Sequence, residues 1–103
     1  MITEIVFFDL PKGTTHDRAR ALYRATAAKW AKNPDLIRKY YYFDEQQSLG
    51  GGVYIWPSRE AAERWHGDDY KTMIQQRYGS PPRIQILDVV ISVEPALESF
   101  EEV

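Results

Sequence analysis

Segments rich in β-branched and aromatic residues alternate with helical segments along this 103-residue chain, and their order restricts the fold more than any other feature. Four strands are predicted over residues 3–10, 36–45, 49–57 and 83–95. One helix is predicted after the first strand and a second after the third. The order strand, helix, strand, strand, helix, strand predicts an α+β, ferredoxin-like βαββαβ sandwich of the split β-α-β type, with right-handed crossovers.

The helix boundaries are marked by capping residues and breakers. Thr14 or Thr15 is the predicted N-cap of the first helix, which ends near Lys32 because Pro34 follows. Ser58 is the predicted N-cap of the second helix. Gly67 is expected to break this helix, and the segment after it is predicted to be helical again until Gly79.

The last predicted strand is apolar on both faces. One face carries Leu87, Val89, Ile91 and Val93, and the other carries Ile84, Ile86 and Val90. A sheet with one face in water would not have this composition. We therefore expect a homodimer that pools two sheets into a dimeric α+β barrel and leaves a ring-shaped hollow beneath the helices. Residues 1–95 are predicted to form the single domain, and residues 96–103 an acidic tail that either packs on a partner or frays.

Charge and composition exclude several functional classes. The net charge is −2 without a basic cluster, so we expect no nucleic-acid partner. There is no cysteine, and the two histidines are far apart in the sequence, so no metal site is predicted. Neither an export leader nor an apolar run of membrane-spanning length is present, so we expect no membrane partner and a cytoplasmic location.

Several segments together resemble one protein family. "NPDLIRKYY", "GGVYIW", "SREAAERW" and "SVEP" are similar to the YdhR-like monooxygenases of the dimeric α+β barrel superfamily. The resemblance implies a cofactor-independent monooxygenase, with no cofactor bound, acting on a flat aromatic, quinol or polyketide-like molecule. It also implies a pocket between the helices and the sheet of each protomer.

Three residues are candidates for catalysis. Trp56 is similar to a pocket tryptophan of the oxygenase relatives, although their asparagine four residues earlier is Gly52 here. Tyr23 lies on the apolar stripe of the first helix, where it either polarises a substrate oxygen, as a tyrosine does in the cyclase relatives, or packs in the core. His66 is predicted either to take a proton, with its pKa raised by Asp68 and Asp69, or to be a solvated helix end.

Substrate binding is predicted for a further set of aromatic and basic residues. Alternation along residues 38–43 places Arg38, Tyr40 and Tyr42 on one face and Lys39, Tyr41 and Phe43 on the other, and the pattern does not say which face lines the pocket. His16 is predicted to be a surface residue. The predicted substrate-binding residues are Tyr54, Trp65, Tyr70, Tyr40 and Arg83.

Two alternatives to the oxygenase hypothesis stay open. The first is a non-oxidative acid–base enzyme, of the polyketide cyclase or aldol and lyase type, on similar substrates. Gly52 in place of the asparagine favours it. The second is a binding or stress-response module without turnover, in which the aromatic residues only pack.

Overall fold

The computed structural model describes all residues from 1 to 103, and its elements follow the predicted order. The strands and helices are β1 (Ile2–Asp9), α1 (His16–Ala31), β2 (Arg38–Asp44), β3 (Leu49–Trp56), α2 (Arg59–Trp65), α3 (Asp68–Tyr78), β4 (Arg83–Asp88), β5 (Ile91–Glu94) and β6 (Ser99–Glu102). The α+β ferredoxin-like fold is confirmed.

The main sheet is antiparallel, and its strands lie in the order β2-β3-β1-β4. On β1, every second side chain is buried, which is the pattern of a strand with one face on the core. Between them, two of these buried residues contact all three helices. Phe8 packs on Tyr23 of α1 and on Tyr78 of α3. Glu4 contacts His66 at the end of α2. The three helices therefore cover one face of the sheet.

The predicted helix boundaries are confirmed in most details. Thr15 is the N-cap of α1, and its hydroxyl accepts a hydrogen bond from the backbone N–H of Arg18 (3.1 Å). Ser58 caps α2 in the same way through Ala61 (3.2 Å). Gly67 separates α2 from α3, and Gly79 ends α3 with a φ of 92°, a conformation that glycine adopts without strain.

The prediction of one last strand over residues 83–95 was wrong. β4 ends at Asp88, and the chain then leaves the main sheet to form a separate two-stranded sheet from β5 and β6. Residues 96–103 were expected to pack on a partner or to fray. They form most of a short 3₁₀ turn (Pro95–Leu97) and strand β6, and their packing on a partner stays a prediction. The break occurs at Val89 and Val90, where neither glycine nor proline marks it.

This C-terminal hairpin, residues 91–102, carries exposed apolar side chains on both of its strands. Val93 and Phe100 form a directly opposed pair, and they are 65% and 68% exposed. A two-stranded hairpin without further cover is only marginally stable in water. The single chain therefore leaves apolar side chains of this hairpin uncovered.

None of the helices is long and apolar enough to cross a membrane.

Candidate functional site

The glycine run in β3 makes room for two tyrosine hydroxyls. The Tyr23 hydroxyl donates to the carbonyl of Tyr42 (2.9 Å) and accepts from the backbone N–H of Gly51 (3.2 Å). It thus joins two residues that pair across β2 and β3, and we call this arrangement the tyrosine bridge. A Cβ at Gly50 would collide with the same hydroxyl. The glycine run therefore accommodates the close approach of a side chain of this protein.

A second tyrosine fills the opposite side of the same glycine run. The Tyr42 hydroxyl donates to the carbonyl of Val6 on β1. Gly51 has a φ of 154°, and a Cβ there would overlap both that carbonyl and the Tyr42 hydroxyl. Burial raises the pKa of Tyr23 to about 12 and that of Tyr42 to about 12. Both side chains therefore remain neutral hydrogen-bond donors at physiological pH.

Beneath the helices, a buried carboxylate joins two of the predicted catalytic residues. Glu4 is 0% exposed, and its Oε1 accepts a hydrogen bond from the indole N–H of Trp56 (2.8 Å). The Nδ1 atom of His66 lies 2.6 Å from the same oxygen, outside hydrogen-bond geometry. Neither Glu4 Oε2 nor His66 Nε2 has a hydrogen-bond partner within the protein. We call Glu4, Trp56 and His66 the buried triad.

His66 was predicted either to have its pKa raised by Asp68 and Asp69 or to be solvated. The structure shows neither arrangement. The His66 ring is buried and stacks on Tyr70, with ring centroids 3.7 Å apart. Burial lowers the pKa of His66, and the contact with Glu4 opposes that shift only in part. The predicted rise in its pKa was therefore wrong, because the imidazole turns away from the two aspartates into the core.

Tyr54 and Tyr70 complete this interior and leave no room for a substrate. Their hydroxyls are hydrogen-bonded to each other (3.0 Å), and burial raises the pKa of both. The gap beside them measures about 10 Å³, which is about the lower limit for a single water molecule. The hollow expected beneath the helices is thus filled by aromatic side chains in the single chain.

Open space lies instead between α1 and β2, and we call it the α1–β2 groove. It consists of two cavities that share Ala27 and Tyr41. The first, of about 440 Å³, is the arginine end, lined by Tyr23 and Phe43 with Arg20, Arg24 and His16 at its rim. The second, of about 370 Å³, is the lysine end, and its lining includes Trp30 and Lys39. A cavity with an apolar floor and cationic side chains suits a flat organic anion.

Lys39 is held at the lysine end by three aromatic rings. Its amino nitrogen lies 3.8 Å from the ring centre of Tyr41 and 4.5 Å from those of Trp30 and Tyr54. Burial, together with the charge of Lys29, lowers the pKa of Lys39 to about 7. No hydrogen bond or ion pair to Lys39 is formed.

Of the eight predicted site residues, four come together and four do not. His66, Trp56, Tyr54 and Tyr70 meet in the sealed interior, whereas Tyr23 lies in the groove. Tyr40 is 55% exposed on the face of the sheet away from the helices. Trp65 donates to Asp35 at the surface (2.8 Å), and Arg83 pairs with Asp9 (3.3 Å). The last three are therefore remote from the interior cluster.

The sequence analysis missed two residues that the structure brings to these sites. Alternation along β1 places Glu4 between the buried Ile2 and Val6, which is a detectable sign of a buried carboxylate. The sequence analysis placed Lys39 and Tyr41 on one face of β2, but it did not name Lys39 as a site residue. No three His, Cys, Asp or Glu side chains converge as metal ligands would.

Comparison with known proteins identifies the fold. No protein-family model and no curated protein matches the sequence. Among solved structures, an antibiotic biosynthesis monooxygenase is 20% identical with a TM-score of 0.63, covering 87% of this chain and 99% of its own. The ActVA-Orf6 monooxygenase of Streptomyces coelicolor, in complex with nanaomycin D, is 14% identical with a TM-score of 0.66 and 91% of both chains covered.

A third solved structure with a similar fold is that of SnoaB, a cofactor-independent oxygenase from Streptomyces nogalater. It is 13% identical with a TM-score of 0.62, and the match covers 85% of this chain and 91% of SnoaB. This chain has the antibiotic biosynthesis monooxygenase-like fold. At these identities the likeness shows the fold alone, and the narrower YdhR-like assignment stays a prediction.

Proposed function

We propose that this protein is a cofactor-free monooxygenase that binds a flat organic anion in the α1–β2 groove. The observation that carries the proposal is the arginine end of the groove, a cavity lined both by the aromatic residues Tyr23, Tyr41 and Phe43 and by Arg20 and Arg24. Aromatic rings favour a flat ligand, and the guanidinium groups favour its ionised form. The fold that the chain shares with SnoaB, a cofactor-independent oxygenase, and with the ActVA-Orf6 monooxygenase supports the same assignment.

The proposed chemistry starts with loss of a proton from a phenol, quinol or β-dicarbonyl. The resulting anion passes one electron to dioxygen, and the two radicals then combine to form a carbon–oxygen bond. The peroxide takes up a proton, its oxygen–oxygen bond breaks as the carbon loses its remaining hydrogen, and a carbonyl group and one water molecule are formed. Arg20 and Arg24 stabilise the anion, and His16 accepts the proton, because its imidazole lines the same cavity. We give His66 and Trp56 a supporting role instead, since both side chains are buried in the core.

Tyr23 contacts the substrate through its ring and not through its hydroxyl. That hydroxyl donates its proton to the carbonyl of Tyr42, so it has no second proton to give to a substrate oxygen. Its role in the proposed reaction is to form the apolar floor of the arginine end.

Oxygen uptake with anthrone and hydroquinone panels tests this proposal. We expect uptake with at least one panel, and we expect His16→Ala and the double variant Arg20→Gln/Arg24→Gln each to reduce it at least tenfold. Arg59→Gln, an exposed arginine far from the groove, is the matched control. Substrate binding without uptake or product would refute catalysis and leave a binding module.

An acid–base enzyme without oxygen chemistry is the second candidate function. Gly52 stands where the oxygenase relatives carry an asparagine, so no amide is available at that position to orient dioxygen. Product formation without oxygen uptake would select this candidate over the first.

We also propose that the protein is a homodimer and that the C-terminal hairpin contacts the second copy. A pair of such hairpins would cover the exposed Val93 and Phe100, and apolar burial of this kind drives association. Light scattering at micromolar concentration should give twice the mass of 12.0 kDa. The double variant Val93→Asp/Phe100→Asp should be monomeric, while Glu101→Gln on the same strand should remain dimeric. A monomeric wild type would contradict the proposal.

A further inference from the structure

The amino group of Lys39 differs from those of the other lysines in its surroundings. It lies within 4.5 Å of the centres of three aromatic rings and makes no hydrogen bond or ion pair. Aromatic rings attract an ammonium ion but offer it no acceptor lone pair. No carboxylate compensates for the water that the amino group has lost, so its neutral form is favoured.

The protonation state of Lys39 depends on its burial and on the charged groups of the elements packed around it. With a pKa of about 7, about half of the Lys39 side chains carry a neutral amine at pH 7, against roughly one in 3,000 for an ordinary lysine. The positive charge of Lys29 also lowers the pKa of Lys39, and the charge of Lys39 in turn lowers the pKa of His66. The titratable groups around the amine are Lys29 of α1, Tyr41 of β2, Tyr54 of β3, His66 after α2 and Tyr70 of α3.

The amine is reachable from outside the protein. Lys39 lines the lysine end of the groove, a cavity of about 370 Å³ whose other walls include Trp30, Leu36 and Ile37. The fully buried side-chain atoms without a hydrogen-bond partner all belong to Glu4 and His66. The amino nitrogen of Lys39 also lacks a hydrogen-bond partner but is not one of them, so it keeps some access to solvent. A flat apolar molecule in this cavity would therefore meet a neutral amine.

We propose that Lys39 captures the carbonyl carbon of a flat apolar aldehyde or ketone as an imine. The amine nitrogen forms a bond to the carbonyl carbon, and the carbonyl oxygen takes up a proton to give a carbinolamine. The carbon–oxygen bond then breaks, water leaves with that oxygen, and a protonated imine remains. Imine formation needs neither an oxidant nor a reductant, so this step is independent of the proposed oxygen chemistry.

Two features of the lysine end suit this step. A desolvated lysine beside a second cation is the usual arrangement of an amine that forms imines. Lys39 also lines the gap of about 10 Å³, together with Tyr54 and Tyr70. A gap of that size is at the limit for the single water molecule that the reaction releases.

Reductive trapping with benzaldehyde tests the proposal. The wild-type protein is treated at pH 7 with benzaldehyde and cyanoborohydride, and the adducts are located by peptide mass spectrometry. The competing amines are Met1, Lys12, Lys29, Lys32 and Lys71. We expect Lys39 to react at least tenfold faster than Lys29, because its larger neutral fraction outweighs the lower nucleophilicity of a weaker base.

The pH dependence and one variant complete the experiment. The rate at Lys39 should level off above about pH 7, whereas the rate at Lys29 should continue to rise with pH. Lys39→Arg keeps the positive charge but cannot form an imine, and it should lose the fast adduct. Equal rates at Lys39 and Lys29 in the wild type would overturn the proposal whether or not the variant folds. Rapid trapping without oxygen uptake would leave this inference intact and refute only the monooxygenase.

Discussion

Replacing Tyr23 by phenylalanine should destabilise the protein by removing the tyrosine bridge alone. The ring and its contacts with Phe8 and Tyr78 remain, but the Tyr42 carbonyl and the Gly51 N–H lose their partner. An unsatisfied buried polar group costs about 1–3 kcal/mol. We therefore expect the free energy of unfolding to fall by about 2–4 kcal/mol. For a domain of this size, that corresponds to a Tm lower by roughly 8–16 °C.

Urea and thermal denaturation followed by circular dichroism measure this change. Tyr40→Phe is the matched control, because the exposed Tyr40 hydroxyl only accepts from Arg38 (3.0 Å). Its loss should alter stability by less than about 0.5 kcal/mol. If Tyr23→Phe is as stable as Tyr40→Phe, the bridge contributes nothing and the reasoning fails. Full stability together with lost oxygen uptake would instead assign the Tyr23 hydroxyl to catalysis.

Three further predictions concern the buried ionisable groups. Glu4→Ala should lower the free energy of unfolding by about 1–3 kcal/mol, because the buried indole N–H of Trp56 loses its acceptor, while the exposed Glu63→Ala should change little in the same urea titration. Lys39→Met should raise the free energy of unfolding at pH 7 by up to about 5 kcal/mol, because this amount corresponds to lowering the lysine pKa from 10.5 to about 7. The control variant Lys29→Met should not raise the free energy of unfolding. Stability should fall as the pH rises from about 10 to 12, since the buried tyrosines lose their protons more readily in the unfolded chain, and tyrosinate absorbance should rise with unfolding.

The fold could be predicted because its determinants are local in the sequence. Thr15 and Ser58 mark helix starts, Gly67 and Gly79 mark breaks, and period-two alternation identifies the strands. The separate C-terminal hairpin could not, since β4 passes into it through two valines that themselves favour a strand.

The site was harder to predict because it depends on contacts between distant positions. Glu4, Trp56 and His66 come from three different elements, and their contact is set by the register of β3 on β1 and by the end of α2. The pattern along β2 left open which face lines the pocket, and Tyr40 was named as a candidate for substrate binding. In the structure Lys39 faces the helices, whereas Tyr40 is exposed on the other face. Alternation defines two faces of an edge strand, and only the packing of α1 decides which of them is covered.

The tyrosine bridge makes the side chains at positions 23, 50 and 51 depend on one another. A side chain larger than hydrogen at Gly50 or Gly51 would displace the Tyr23 or the Tyr42 hydroxyl, and loss of Tyr23 would leave the paired strands with unmatched backbone groups. Homologues should therefore carry the tyrosine and the glycines together or lack them together. A sequence with only half of this set would signal a different connection between helix and sheet.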